Sequence, residues 1–327
     1  MPCARRALRY RPMQAHHCST LTELSAAGVL LAQGPQAVDL LHAQLTQDLR
    51  EWPDGSARMA AMCTPQGRML ADFLLWREPD GSIALLLDAA LLEPTLKRLR
   101  MFILRLKCSL QDASAQRRVF GLLEPSEAAV GSPRASLGVW QLRHDADVTE
   151  IRLPDAPGLR RMLLVAHGEA GLAELRSRTA GLAAASDADW QLAEIRAGIG
   201  HVGAATTQRF VPQMLNYEAL GAIDFHKGCY PGQEVVARTQ YRGAVKRRTF
   251  PVRSEQPMAA GDEVFSTDDP EQPCGMIVGA APAGGGRWEA LAELKLSALE
   301  HGELRLRGAD GAPLQRGELP YALPVEA

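Results

Sequence analysis

The run Lys227-Gly228-Cys229-Tyr230-Pro231-Gly232-Gln233-Glu234 gathers more reactive chemistry than any other stretch of the 327-residue chain. Cys229 lies two residues from Lys227, between Gly228 and a Tyr-Pro-Gly turn. An ammonium beside a thiol favours the thiolate, the nucleophilic and metal-binding form. The competing reading is a buried, inert cysteine. Gln233 and Glu234 follow the turn, and an amide beside a carboxylate offers acceptors and a donor pair to a polar ligand. Beyond them, "EVVARTQYRG" reads as a strand. Arg238, Arg242, Lys246, Arg247 and Arg248 then place five cations within eleven positions with no acid among them. Such a patch suits a polyanion, a polyglutamylated tail or RNA phosphates, unless it is a solvated strand end.

Other candidates are sparser. Trp190 falls in "DADWQLAEIRAG", which has helical spacing; its flat ring could stack on a pterin or purine, or belong to the core. Gly198, Gly200 and Gly203 match a dinucleotide-binding spacing, but a helical segment precedes them where a strand is required, so a helix-ending turn is the better reading. The six cysteines are scattered without a CxxC pair, which argues against a disulfide framework or zinc ribbon and fits a reducing cytoplasm. No resident metal is expected. A single thiol supports only bridging or transient contact with a cluster, since stable clusters commonly take four thiolates.

The elements that must carry these residues are readable from periodicity. "GVLLAQG" reads as a strand, followed after Gly34-Pro35 by a helix with Val38, Leu41, Leu45 and Leu49 on one face. Residues 57–88 read as an antiparallel meander around Pro65-Gln66-Gly67 and Pro79-Asp80-Gly81, and residues 90–105 as an amphipathic helix. Alternation over 117–166 predicts a second sheet, flanked by helices that close on Gly181 and Gly198. Residues 249–325 have many short strands and hardly any helical period, as in a small β-barrel.

Composition bounds the rest. Hydrophobic residues are 46% and charged residues 23%, with a formal charge of −2, so the chain is an ordinary globular one of two or three domains with no bulk electrostatic pull toward nucleic acid or membrane. No apolar run approaches the roughly 18–20 residues needed to span a bilayer. Residues 1–20 read as a flexible basic tail, and Met13 could equally begin the chain.

The motif at 227–234 closely resembles that of the YgfZ-type folate-binding proteins, distant relatives of the glycine-cleavage aminomethyltransferase, or T-protein. The similarity extends to "VARTQYRG" and "KRR", to "FVPQMLNYEALGAI" and "WQLAEIRAGI", and more loosely to "QGPQAVDLLHAQLTQDL" and "PQGRMLADFLLW". The resemblance implies an α+β fold, a three-domain T-protein-like cloverleaf in which two α+β domains and a C-terminal β-barrel surround a central channel. The domains would be 21–50 with 115–245, an inserted 51–114, and 246–327. It assigns functional weight to Cys229, with Lys227, Tyr230, Gln233, Glu234, Arg238 and Arg242 around it, and sets Trp190 against the folate ring. A second tryptophan that some relatives carry is replaced by Ala27 or Gly28. Where the transferase has an Asp-Asp doublet, this chain has Ala71-Asp72, leaving one carboxylate.

The expected function is that of a cytoplasmic accessory protein that binds tetrahydrofolate or a one-carbon-substituted folate. It would support assembly or repair of iron–sulfur proteins, tRNA-thiolating enzymes among them, with Cys229 as the functional thiol. The alternative is a folate-dependent aminomethyl transferase using Asp72. Direct RNA binding through the 238–248 cations is disfavoured by the acidic pI and the lack of an RNA-binding aromatic motif.

Overall fold

The computed structural model describes residues 18–127, 134–241 and 245–324. The expected tail lies outside the described residues up to position 17, and Thr20 already opens the first strand.

Strand β1 (Thr20–Glu23) leads into β2 (Ala27–Gln33), where Val29, Leu30, Leu31 and Ala32 are all buried. Helix α1 (Ala37–His42) follows the Gly34-Pro35 break but stops well before Leu49. Leu45 bridges to Met62 and the Thr46 N–H bonds the Ala61 carbonyl at 2.9 Å, so the chain exchanges helical for sheet hydrogen bonds while Leu45 and Leu49 still fill the core. The meander is as expected: β3 (Ala57–Cys63), β4 (Met69–Arg77) and β5 (Ile83–Asp88). Helix α2 (Ala89–Arg100) is N-capped by the Asp88 carboxylate, which accepts from Ala90 N–H at 2.8 Å. It ends at Arg100, short of the expected Arg105, and gives way to turns before β6 (Ser109–Asp112).

Strand β2 pairs antiparallel with both β5 and β6, giving a five-stranded sheet in the order β3-β4-β5-β2-β6. Residues 27–33 therefore share one sheet with strands from residues 57–112. The continuous apolar run of β2 has both of its faces buried, as suits a central strand of a sheet covered on both sides.

The second sheet follows: β7 (Arg117–Pro125), β8 (Leu142–Asp145), β9 (Val148–Ala156) and β10 (Leu159–His167). Helix α3 (Gly168–Thr179) leads to the two-residue β11 (Ala183–Ala184), and the sheet order is β11-β1-β7-β10-β9-β8. Helix α4 (Asp187–Arg196) starts at a capping box in which the Ser186 and Asp189 side chains each bond the other's backbone N–H. Its end, with Gly198 at φ +72°, is the turn expected there and no phosphate loop. The two sheets share one core, with Leu30, Phe73 and Leu85 from the first and Leu123, Ile151 and Leu163 from the second.

Residues 233–241 form helix α5 (Gln233–Tyr241), which overturns the strand expected there. Val235 and Val236 favour strands only weakly, whereas helical spacing aims Val236 into the core and sets Glu234 beside Arg238 one turn on. The barrel closes the chain: β12 (Arg247–Ser254), β13 (Glu263–Ser266), β14 (Asp269–Gly284), β15 (Arg287–Lys295), β16 (Leu304–Leu306) and β17 (Pro313–Arg316). Its closed order is β12-β15-β14-β13-β16-β17, around Val252, Val264, Ile277 and Leu294. The architecture is thus α+β with a C-terminal β-barrel. Among the described residues, no helix is long and apolar enough to cross a membrane.

Candidate functional site

A cavity of about 300 Å³ opens between the two sheets and α4. Leu24, Ala27, Leu74, Leu86 and Leu163 give it apolar walls, and Asp72, Asp88, Asp187 and Glu194 bring carboxylates to it. Asp187, Trp190, Gln191 and Glu194 come from one helix at positions i, i+3, i+4 and i+7, so α4 turns a single stripe toward the space. Trp190 is both core and lining. It is only 6% exposed, and a Cβ on Gly121 of β7 would lie 2.6 Å from Trp190 Cδ2, so glycine is what lets the indole settle on the sheet. The fully buried Arg161 guanidinium stands 5.0 Å from the centre of a Trp190 ring.

Behind Trp190 runs a chain of charges. Arg161 donates to Glu194 Oε1 at 2.8 Å, and His201 Nε2 lies 3.5 Å from the same oxygen. His201 Nδ1 is 2.6 Å from Asp72 Oδ2, while Asp72 Oδ1 accepts from Val202 N–H at 2.6 Å. Burial alone would lower the His201 pKa, but carboxylates at both ring nitrogens, Glu194 and Asp72, raise it well above its ordinary value. Burial works to raise the Glu194 carboxyl, yet His201 and Arg161 hold it below the usual range. The lining thus combines an imidazole whose protonated form is favoured by its neighbours with several carboxylates on apolar walls. It suits a flat heterocycle rich in N–H donors, and its volume sits at the lower end of the roughly 300–1,000 Å³ of small-molecule sites.

The thiol motif lies elsewhere. Asp224 Oδ1 accepts from the backbone N–H groups of His226 and Lys227 at 2.7 and 3.0 Å, bending the chain into the loop. Lys227 is buried, and its ammonium donates to the carbonyls of His42, Leu45 at 2.6 Å and Gln47 at 3.1 Å. Burial lowers its pKa to about 8. It also lies 5.1 Å from the centre of the Tyr230 ring, itself buried. All three ammonium protons are therefore committed to backbone carbonyls and none to the Cys229 thiol. Gly232 has φ +85°, and a Cβ there would come within 2.8 Å of Gly67 Cα in the β3–β4 turn. The loop is pinned at both ends, and Cys229 is exposed between them.

The sequence-predicted residues thus divide. Asp72 and Trp190 meet at the cavity. Lys227, Cys229, Tyr230, Gln233, Glu234 and Arg238 belong to the other group, and none lines the cavity. Gln233 donates to the Lys227 carbonyl at 3.3 Å, and Glu234 and Arg238 form an exposed pair on α5. Arg242 lies outside the described residues. The expected cation cluster is largely neutralised as well: Arg247 pairs with Glu293, and the buried Arg248 with Glu218. Glu194, His201 and Arg161 escaped the sequence reading. The stripe at 187, 190, 191 and 194 is the signal that would have found Glu194.

No family model matches the chain. It is 27% identical over 321 residues to the tRNA-modifying protein YgfZ of Sodalis glossinidius, covering 95% of this chain and 96% of that protein. It is 29% identical over 246 residues to the tRNA-modifying protein YgfZ of Colwellia psychrerythraea, covering 75% of each. The crystal structure of the glycine cleavage system aminomethyltransferase T from Bartonella henselae superposes with a TM-score of 0.70 at 17% identity, over 93% of this chain and 86% of that one, a likeness of fold. The fold is that of the T-protein class. Within it, the YgfZ-type resemblance first read from residues 227–234 holds along nearly the whole chain.

Proposed function

We propose that this protein binds tetrahydrofolate, or a one-carbon-substituted folate, and serves as an accessory factor for assembly or repair of iron–sulfur proteins. Through tRNA-thiolating clients it would indirectly support tRNA modification. The observation that carries the reading is the cavity: a flat indole edge and leucine walls meet carboxylates able to accept the ring N–H groups of a pterin. The glutamate tail would extend beyond the opening, since the lining residues include no lysine or arginine. Cys229, exposed on a pinned loop, is the thiol offered to a partner.

Titration with 5-formyltetrahydrofolate followed by tryptophan fluorescence tests the folate half. Saturable quenching, with a Kd by calorimetry that rises at least tenfold in Trp190→Leu, supports it, and no binding at millimolar ligand overturns it. For the thiol half, full rescue of iron–sulfur enzyme activities in a deletion strain by Cys229→Ser would remove Cys229 from the mechanism.

The second reading is aminomethyl transfer by Asp72. Its favouring observation is that the carboxylate reaches the cavity; both its oxygens, however, already accept close hydrogen bonds from His201 and Val202. Turnover of an aminomethyl donor with tetrahydrofolate, lost in Asp72→Asn, would establish it.

A further inference from the structure

Among the described residues, a cluster of cations without a carboxylate partner stands at the end of α2, apart from the segment where the sequence suggested one. Residues 94–111 contain no acid, and among the described residues no carboxylate lies within 4 Å of the charged groups of Lys97, Arg98, Arg100, Arg105 or Lys107. Between these cations stand Met101, 59% exposed, and Leu104, 88% exposed. Large apolar side chains so open to water are rare among the described residues, and these two are three positions apart.

Their exposure is built in. Met101, Phe102 and Ile103 N–H groups bond the carbonyls of Arg98, Leu99 and Arg100 at 3.2, 3.0 and 3.3 Å, and Leu106 N–H bonds Ile103 at 2.6 Å. The base is fastened by Lys107 N–H to Gln36 Oε1 at 2.7 Å and by Arg100 Nη2 to the Leu110 carbonyl at 3.0 Å. Phe102, Ile103 and Leu106 turn inward against the main core. Leu104 adopts φ +38°, a left-handed conformation unfavourable for a bulky residue, and is thereby held outward. An apolar apex on a fixed turn, flanked along the chain by cations without carboxylate partners on a protein of net charge −2, is the form of a recognition surface.

We propose that this apex docks a protein partner whose complementary face is acidic around an apolar cleft, Met101 and Leu104 entering the cleft and Lys97, Arg98, Arg105 and Lys107 meeting the rim. Nucleic acid fits less well, because the exposed side chains are aliphatic and give bases no ring on which to stack. A lipid surface also fits less well, since insertion of only two side chains falls below what stable membrane attachment takes. The proposal is independent of folate binding and of Cys229.

The test places a photoreactive phenylalanine analogue at Leu104 in the full chain and irradiates the native host's cells. The expected result is a protein adduct mapping to a segment with Asp or Glu around apolar residues. Its yield should fall at least tenfold when Lys97, Arg98, Arg105 and Lys107 are changed to Glu, and should return when the mapped acids are reversed to Lys. Unchanged melting of the purified Glu variant shows that the fold is kept; should that variant not fold, Leu104→Ser as competitor against the photoreactive protein gives the same answer, with failure to compete expected. No adduct, an adduct to nucleic acid or lipid, or a protein adduct indifferent to charge reversal overturns the proposal.

Discussion

His201 Nδ1 lies 2.6 Å from Asp72 Oδ2 while its other ring nitrogen faces Glu194 at 3.5 Å, so one imidazole is clamped between two carboxylates at the cavity. With Arg161 on the far side of Glu194, positive and negative groups alternate from the core to the open space. The clamp fixes Asp72 and Glu194 before any ligand arrives.

This arrangement makes stability depend on pH in a defined direction. The folded-state pKa of His201 lies well above its ordinary 6.5, so its contribution is fully present below about 6.5 and is lost as pH rises through the raised value. Melting temperature should fall over that alkaline interval in the native protein and stay flatter in His201→Gln. An NMR titration of His201 that gave a pKa at or below 6.5 would contradict this.

Lys227→Met removes the ammonium from three carbonyls and leaves them buried without a donor. The expected loss is about 2–4 kcal/mol of stability, the order found when buried hydrogen-bonded groups are orphaned. Cys229 should also react faster with iodoacetamide, because the loop loses its tie to the turns after α1. Unchanged denaturant midpoint and alkylation rate would show the tie to be unimportant.

Gly121→Ala drives a methyl group into Trp190 and should cost about 1–3 kcal/mol, as overpacking does. Displacing the indole should also weaken tetrahydrofolate binding, measured by calorimetry. A control at Gly158, where a Cβ meets nothing within 4 Å, should leave folate affinity unaltered.

The buried bidentate pair of Arg196 with Glu289, at 2.8 and 2.9 Å, ties the end of α4 to barrel strand β15. Glu289→Gln should cost about 3–5 kcal/mol by leaving a buried guanidinium poorly compensated, whereas the double change to Met and Leu should recover most of that loss. Chemical denaturation of the three proteins checks both statements.

Much of the fold was legible because its cause is local. Period-two alternation and the turns at 65–67 and 79–81 dictate the meander, and the lack of helical period after residue 249 anticipates the barrel. What escaped is what depends on distant partners. Arg247 and Arg248 read as free charges because Glu293 and Glu218 stand 46 and 30 positions away. Lys227 looked like the thiol's companion because its true acceptors are backbone oxygens about 180 residues earlier, which no side-chain pattern announces. The α5 helix was hidden by two adjacent valines. At the cavity, Trp190 and Asp72 were pointed to by the family resemblance, whereas Glu194 looked like an ordinary solvated helix charge.

Helix α4 carries Trp190 and Glu194 at the cavity and Arg196 at the barrel on a rod of ten residues, about 15 Å long. It is too short to bend and is gripped at its tip by an ion pair. One short rod therefore reaches both the cavity and the barrel, and the Arg196–Glu289 pair is the joint that holds β15 in register with the residues lining that space.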